Sequence, residues 1–242
     1  MSSLSSRLPR GRADLEHAVN HQLRRARGAV VRGPVGRTLH RLFHTELIEK
    51  TDNFGDTTWL GQPIWQNVLD LWTIQETIHA VRPALLLETG TNRGGSSWFY
   101  GQLMDLMDHG RVITVDVERL YQREHPRVEY LLGSSIAPEV VGHMARAAEQ
   151  ADGPVMVILD SDHSRDHVAA ELEAYAPLVS PGSYMLVQDG VIDDLPIFRS
   201  GRPGPLPAIH AFLERHPEFE VDRARTERFV ITHHPAGWLR RR

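Results

Sequence analysis

The chain contains no cysteine, which excludes a disulfide framework, a thiolate metal site and a cysteine nucleophile while leaving the compartment open. It also lacks any apolar run near the roughly 18 residues of a membrane span, so no membrane partner is expected. No secretory pattern of basic, apolar and cleavage regions is recognisable, and the expected location is cytoplasmic. Aromatic residues make up only 7%, and none is interleaved with the basic amino-terminal residues in the way of single-strand nucleic-acid binders. A nucleic-acid partner is therefore not expected.

What remains is 242 residues, 41% of them hydrophobic, enough for one well-buried α/β domain with an extension. The net charge of −4 hides an asymmetry. Residues 1–41 carry nine arginines against Asp14 and Glu16, a net +7, which leaves −11 for the rest. Residues 1–55 read as a basic, partly helical extension interrupted at Gly28, Gly33-Pro34 and Gly36, and 56–242 as the catalytic domain.

The most informative stretch is LLLETGTNRGGSS, from Leu85 to Ser97. A continuous apolar run is the mark of a parallel strand covered on both faces, and here it ends on Glu88, at the edge where open α/β sheets bind ligands. Gly90, Gly94 and Gly95 then allow close backbone approach. Their G-x-x-x-G-G spacing is neither the G-x-G-x-x-G of a dinucleotide fold nor the G-K-[ST] of a P-loop, so a phosphate cradle is the weaker reading.

Alternation continues along the chain. Apolar spacing from Ile64 to Ile78 predicts a helix closed by Pro83. Strands are expected at Ala84–Glu88, Arg111–Asp116, Val128–Leu132, Val155–Asp160 and Ser183–Gln188, with helices at Ser96–Met107, Pro138–Ala148 and Asp166–Tyr175. This order implies βαβ units and a largely parallel sheet. After a proline- and glycine-rich loop, Ser200–Pro207, which suits a lid, a helix at Ala208–Arg215 and an antiparallel pair near Phe219–Val221 and Phe229–Thr232 would close the fold.

Three strand ends converge on one edge. Asp116 lies 22 positions after Gly94, where an acidic residue accepts hydrogen bonds from ribose hydroxyls. VMVILDSDH delivers Asp160 and then His163, and MLVQDG delivers Gln188 and Asp189. Oxygen donors from neighbouring strand ends make a hard-cation site suited to Mg2+. His163, three positions after Asp160, is the candidate general base, since imidazole titrates near neutrality.

The ETGTNRGGSS loop, the DSDHSRDHVAAELEAYAPLVSPGSYMLVQD block and the closing T-x-H-P-x-G-W-L-R-R segment at Thr232–Arg241 resemble the cephalosporin hydroxylase-like family. That family is a branch of class I S-adenosylmethionine-dependent methyltransferases and includes rhamnosyl and macrolide-sugar O-methyltransferases. The resemblance implies a Rossmann-like α/β fold, with a mostly parallel seven-stranded sheet, a closing antiparallel strand and a helical amino-terminal extension. It implies S-adenosylmethionine held by Glu88, Gly90, Thr91, Gly94, Ser96, Asp116, Ser135 and Asp160, and Mg2+ held by Asp160, Gln188 and Asp189. His163 would be the base, a small-molecule acceptor such as a sugar or glycosylated natural product the partner, and the assembly a homo-oligomer. Two positions depart from the pattern: Gln188 stands where glutamate is common, and Ser134 where aspartate is frequent. Oxidative tailoring and a non-catalytic cofactor-binding role are the alternatives.

Overall fold

A computed structural model describes residues 33–51 and 57–242. Two compact units divide the chain, Met1–Leu47 and Ile48–Arg242. The expected boundary between 55 and 56, and the predicted break at Gly28, lie outside the described residues. Gly33-Pro34, expected as an interruption, stands at the start of α1 (Pro34–Thr51), and Gly36, expected as another, lies inside that helix without breaking it. One glycine costs a helix only about 1 kcal/mol, too little to break eighteen residues.

After α1, the described residues resume with a short hairpin, β1 (Thr58–Trp59) and β2 (Gln62–Pro63). The next helix, α2 (Val68–Val81), begins later than the apolar spacing predicts, because Asn67 caps it by accepting from the Leu69 N–H at 2.9 Å. Then follow β3 (Leu85–Thr89), α3 (Gly95–Met107), β4 (Arg111–Asp116), β5 (Val128–Leu132), α4 (Pro138–Glu149), β6 (Val155–Leu159), α5 (Arg165–Tyr175) and β7 (Tyr184–Val187). Each agrees with its predicted span to within about a residue at either end. The chain finishes with α6 (Val191–Asp194), α7 (Pro205–Arg215), β8 (Phe219–Val221), α8 (Arg223–Thr226) and β9 (Trp238–Arg241).

Among the described residues, seven strands form one sheet in the order β5-β4-β3-β6-β7-β9-β8. β3 pairs in parallel with both β4 and β6, while β9 runs antiparallel to β7 and β8. The closing antiparallel strands are therefore present, but the one paired with β8 is Trp238–Arg241 and not Phe229–Thr232. The latter segment cannot extend a strand, since Val230 sits at φ 71°. Thr232 and His233 are instead bonded to the Asp70 carboxylate on α2, at 2.6 and 2.8 Å.

Strand alternation sorts the core into two layers. Leu85, Leu87, Val157, Leu159, Met185 and Val187 face α4, α5 and α7. Leu86, Met156, Ile158, Tyr184, Leu186 and Trp238 face α2 and α3. Covering on both sides explains why β3, β6 and β7 read as unbroken apolar runs. The chain reverses direction across the sheet at β3, between β4 and β6, and this switch point opens a crevice at the carboxyl ends of the strands.

Candidate active site

A cavity of about 940 Å³ occupies that crevice. Its wall includes Gly90, Thr91 and Ser96 from the glycine loop, Asp116 from β4, Ser134 and Ser135 after β5, Asp160 and His163 after β6, and Asp189 after β7. The glycine loop fits tightly against its neighbours. Gly90 has φ 89°, and a Cβ there would run into the Asp160 carbonyl oxygen. Gly94 has φ 79° and passes against Tyr121, where a Cβ would sit 2.9 Å from the tyrosine Cβ.

Around the loop, hydroxyls and a carboxylate fix the backbone. The Thr91 and Thr114 hydroxyls lie 2.7 Å apart, and Asp116 accepts from the backbone N–H groups of Asn92 and Glu118 at 2.7 and 3.1 Å. Ser135 joins the far side through its hydroxyl, 3.0 Å from His167 Nε2, while its carbonyl accepts from the Tyr175 hydroxyl at 2.6 Å. The Glu171 carboxylate, 3.7 Å from His167 Nε2, raises the His167 pKa.

Opposite the loop stands a cluster of Asp160, His163 and Asp189 whose ligand atoms lie within 4.8 Å of one another. His163 Nε2 is 3.2 Å from Asp189 Oδ2 and 4.0 Å from Asp160 Oδ1. The other Asp160 oxygen accepts from Gln66 at 2.7 Å. Burial, and then the nearby Asp189 and Glu88 charges, push the Asp160 carboxyl well above its ordinary range. A divalent cation fits this arrangement: it would relieve the repulsion between two carboxylates, whose oxygens suit a hard ion. Asp160 and Asp189 could hold it, with His163 beside them.

Gln188 is placed differently from its neighbours in the predicted ligand set. It is 1% exposed, its amide nitrogen has no hydrogen-bond partner, and it is absent from the cavity wall. Alternation accounts for this: Tyr184, Leu186 and then Gln188 point to the α3 side, toward Tyr100, whereas Asp189 leaves the strand at φ 57°. Glu88 continues the same face of β3. Fully buried, it has its pKa raised by desolvation to about 7, against the opposing pull of the Ser96 and Thr114 hydroxyls beside it. Glu88, Gln188 and the Tyr100 hydroxyl thus gather buried polar atoms beneath the glycine loop.

Several residues escaped the sequence reading. Tyr100 looks like an ordinary core aromatic of α3. Gln66 and His233 also reach the site, the latter with Nδ1 3.9 Å from Asp189 Oδ1 and its pKa lowered by burial. Only the T-x-H-P segment of the family resemblance pointed near His233. The segment Ser200–Pro207, expected as a loop and lid, enters α7 at Pro205, and it is bonded to the chain before it: Arg202 donates to the Ile192 and Leu195 carbonyls at 2.7 and 2.8 Å, and Asp193 accepts from the N–H groups of Gly204 and Leu206 at 2.8 and 2.9 Å.

Known proteins resemble the chain over most of its length. The rhamnosyl O-methyltransferase of Mycobacterium tuberculosis is 32% identical over 211 residues, covering 85% of this chain and 84% of that protein. The rhamnosyl O-methyltransferase of Mycobacterium leprae is 31% identical over 191 residues, covering 77% and 83%. A solved structure of CmcI with magnesium and S-adenosylmethionine superposes with a TM-score of 0.61 at 18% identity, over 78% of each chain, a likeness of fold. The family profile described as Rhamnosyl O-methyltransferase/CmcI matches residues 52–242, and the chain belongs to that family.

Proposed function

We propose that this chain is an S-adenosylmethionine- and Mg2+-dependent O-methyltransferase acting on a hydroxyl of a sugar or similar natural-product acceptor. The observation that carries the reading is one cavity with a glycine loop on one wall and the Asp160, His163 and Asp189 cluster on the other. Family membership supports it, as does the name shared by the mycobacterial relatives.

In this reading, Gly90, Thr91, Gly94 and Ser96 give the cofactor a close backbone surface, Glu88 supplies negative charge beneath it, and Asp116 and Ser135 flank the nucleoside. Asp160 and Asp189 hold Mg2+. Water and acceptor oxygens would complete the coordination, since Gln188 turns away from the cavity, and His163 stays outside it as the base. Bound there, Mg2+ would lower the pKa of the acceptor hydroxyl, and S-adenosylmethionine would supply an electrophilic methyl group.

The remaining work falls to the chain itself. His163 stands beside both carboxylates and, as base, receives the acceptor proton on its imidazole. Asp189 Oδ2, 3.2 Å from His163 Nε2, orients the imidazole. Val191, Ile192 and Phe198 line the cavity with apolar surface that limits water. Holding the acceptor oxygen in line with the methyl carbon and sulfur contributes much of the acceleration.

The test is methyl transfer to a panel of glycosides, read as a product mass gain of one methylene, with and without chelator. Activity should vanish in excess EDTA and return with Mg2+. His163→Ala should lower kcat by about 10²- to 10⁴-fold with cofactor affinity unchanged. Full turnover in metal-free enzyme would overturn the metal role, and full turnover by the alanine variant would remove His163 from the base position.

A further inference from the structure

Asp189 stands on an unusual piece of backbone. It has φ 57°, in the left-handed region, so its carboxylate direction depends on what holds the peptide there. The β7–α6 junction is held by the segment that precedes β9. The Asp189 N–H donates to His234 Nδ1 at 3.1 Å, the Val191 N–H to the His233 carbonyl at 3.0 Å, and the Val187 N–H to the Gly237 carbonyl at 2.9 Å. A Cβ on Gly237 would strike the Val187 carbonyl, and one on Gly190 would come 3.0 Å from the Pro235 carbonyl.

The segment is itself anchored. The buried Asp70 accepts from the Thr232 hydroxyl at 2.6 Å and the His233 N–H at 2.8 Å, and the Thr232 oxygen then accepts from the His234 N–H at 3.0 Å. Because His234 Nδ1 accepts, the neutral ring carries its proton on Nε2, which faces Asp70 Oδ2 across 3.8 Å. His234 is 1% exposed and absent from the cavity wall, so it touches no reactant.

We propose that His234 is a positioning residue: anchored through Asp70 and Thr232, it fixes the Asp189 peptide and thereby the direction in which the Asp189 carboxylate meets the cation. The inference rests on the reading of Asp160 and Asp189 as Mg2+ ligands. Its chemical basis is that a ligating carboxylate held by its surroundings binds metal more tightly than one free to turn, an effect of about 10- to 100-fold.

Titration calorimetry tests this on the full-length protein, measuring Mg2+ affinity with S-adenosylhomocysteine bound and S-adenosylmethionine affinity without metal. His234→Leu, which keeps bulk and loses the acceptor, should weaken Mg2+ by about 10- to 100-fold and leave metal-free cofactor affinity within about twofold. His234→Asn, whose amide oxygen can take the Asp189 N–H, should restore most of the loss. A folded leucine variant with wild-type Mg2+ affinity would overturn the inference, as would an asparagine variant no better than leucine. Should leucine prevent folding, asparagine decides alone: retained Mg2+ affinity supports the role and lost affinity overturns it. A wild-type protein that binds no Mg2+ would refute the underlying ligand assignment, a result distinct from either outcome.

Discussion

Gly90 shows what a single atom can decide at this site. Its φ of 89° and the Asp160 carbonyl at its α-carbon leave no room for a methyl group. Gly90→Ala should therefore destabilise the protein by more than the ~1 kcal/mol of an ordinary glycine change and push β3 away from β6, with weaker S-adenosylmethionine binding. Denaturant unfolding and cofactor titration check both, and an alanine variant matching wild type in each would contradict the geometry. Glu88 makes a pH prediction. Its carboxyl is raised from 4.5 to about 7 in the fold by burial. Below about pH 4.5 it is protonated in folded and unfolded chains alike. As pH rises through about 7 the unfolded chain ionises first, and the cofactor-free protein loses about 3 kcal/mol. Glu88→Gln should abolish that loss, so its stability relative to wild type should grow between about pH 4 and pH 8. A difference that stays constant with pH would show that Glu88 does not titrate in this way.

At the scale of elements, β9 does two jobs. It caps the sheet through pairing with β7 and β8, and it ends the segment that holds the Asp189 peptide. Trp238 is fully buried in the layer beneath α2 and α3. Trp238→Ala should cost about 3–5 kcal/mol in chemical unfolding. A loss below about 1 kcal/mol would mean that the strand is not needed to close the core. The helix α2 offers a milder case: Asn67→Ala removes the cap on the Leu69 N–H and should cost about 1 kcal/mol.

These elements also mark where the sequence was legible. β3, β6 and β7 announced themselves because burial on both faces leaves apolar runs, and the acidic residues after β6 and β7 fell at the ligand edge, whereas Glu88 lies inside β3 and is fully buried. Phe229–Thr232 misled because local apolar content cannot register that Val230 takes a positive φ or that Asp70, far away in sequence, captures Thr232 and His233. Gln188 misled for a related reason: adjacency to Asp189 says nothing about which face of β7 each side chain takes.

For the whole molecule, the prediction is linkage. A ligand that binds only the folded state at about 100 times its Kd adds about 2.7 kcal/mol, which for a chain of this size raises Tm by roughly 5–10 °C. S-adenosylmethionine should do this, whereas a nicotinamide dinucleotide at the same concentration should not. The reverse pattern, seen by scanning calorimetry, would return the site to the dinucleotide class. Among the described residues, no helix is long and apolar enough to cross a membrane.

The sequence by itself determined the parallel α/β order, the glycine loop and the convergence of Asp116, Asp160 and Asp189, because strand burial and strand-end polarity are written locally. Tertiary structure alone decided the partner of β8, the inward turn of Gln188, and the chain from Asp70 through Thr232 and His234 to the Asp189 peptide. The Asp70–Thr232 and His234–Asp189 contacts join residues 162 and 45 positions apart, and their existence depends on the sheet bringing distant segments to a single edge.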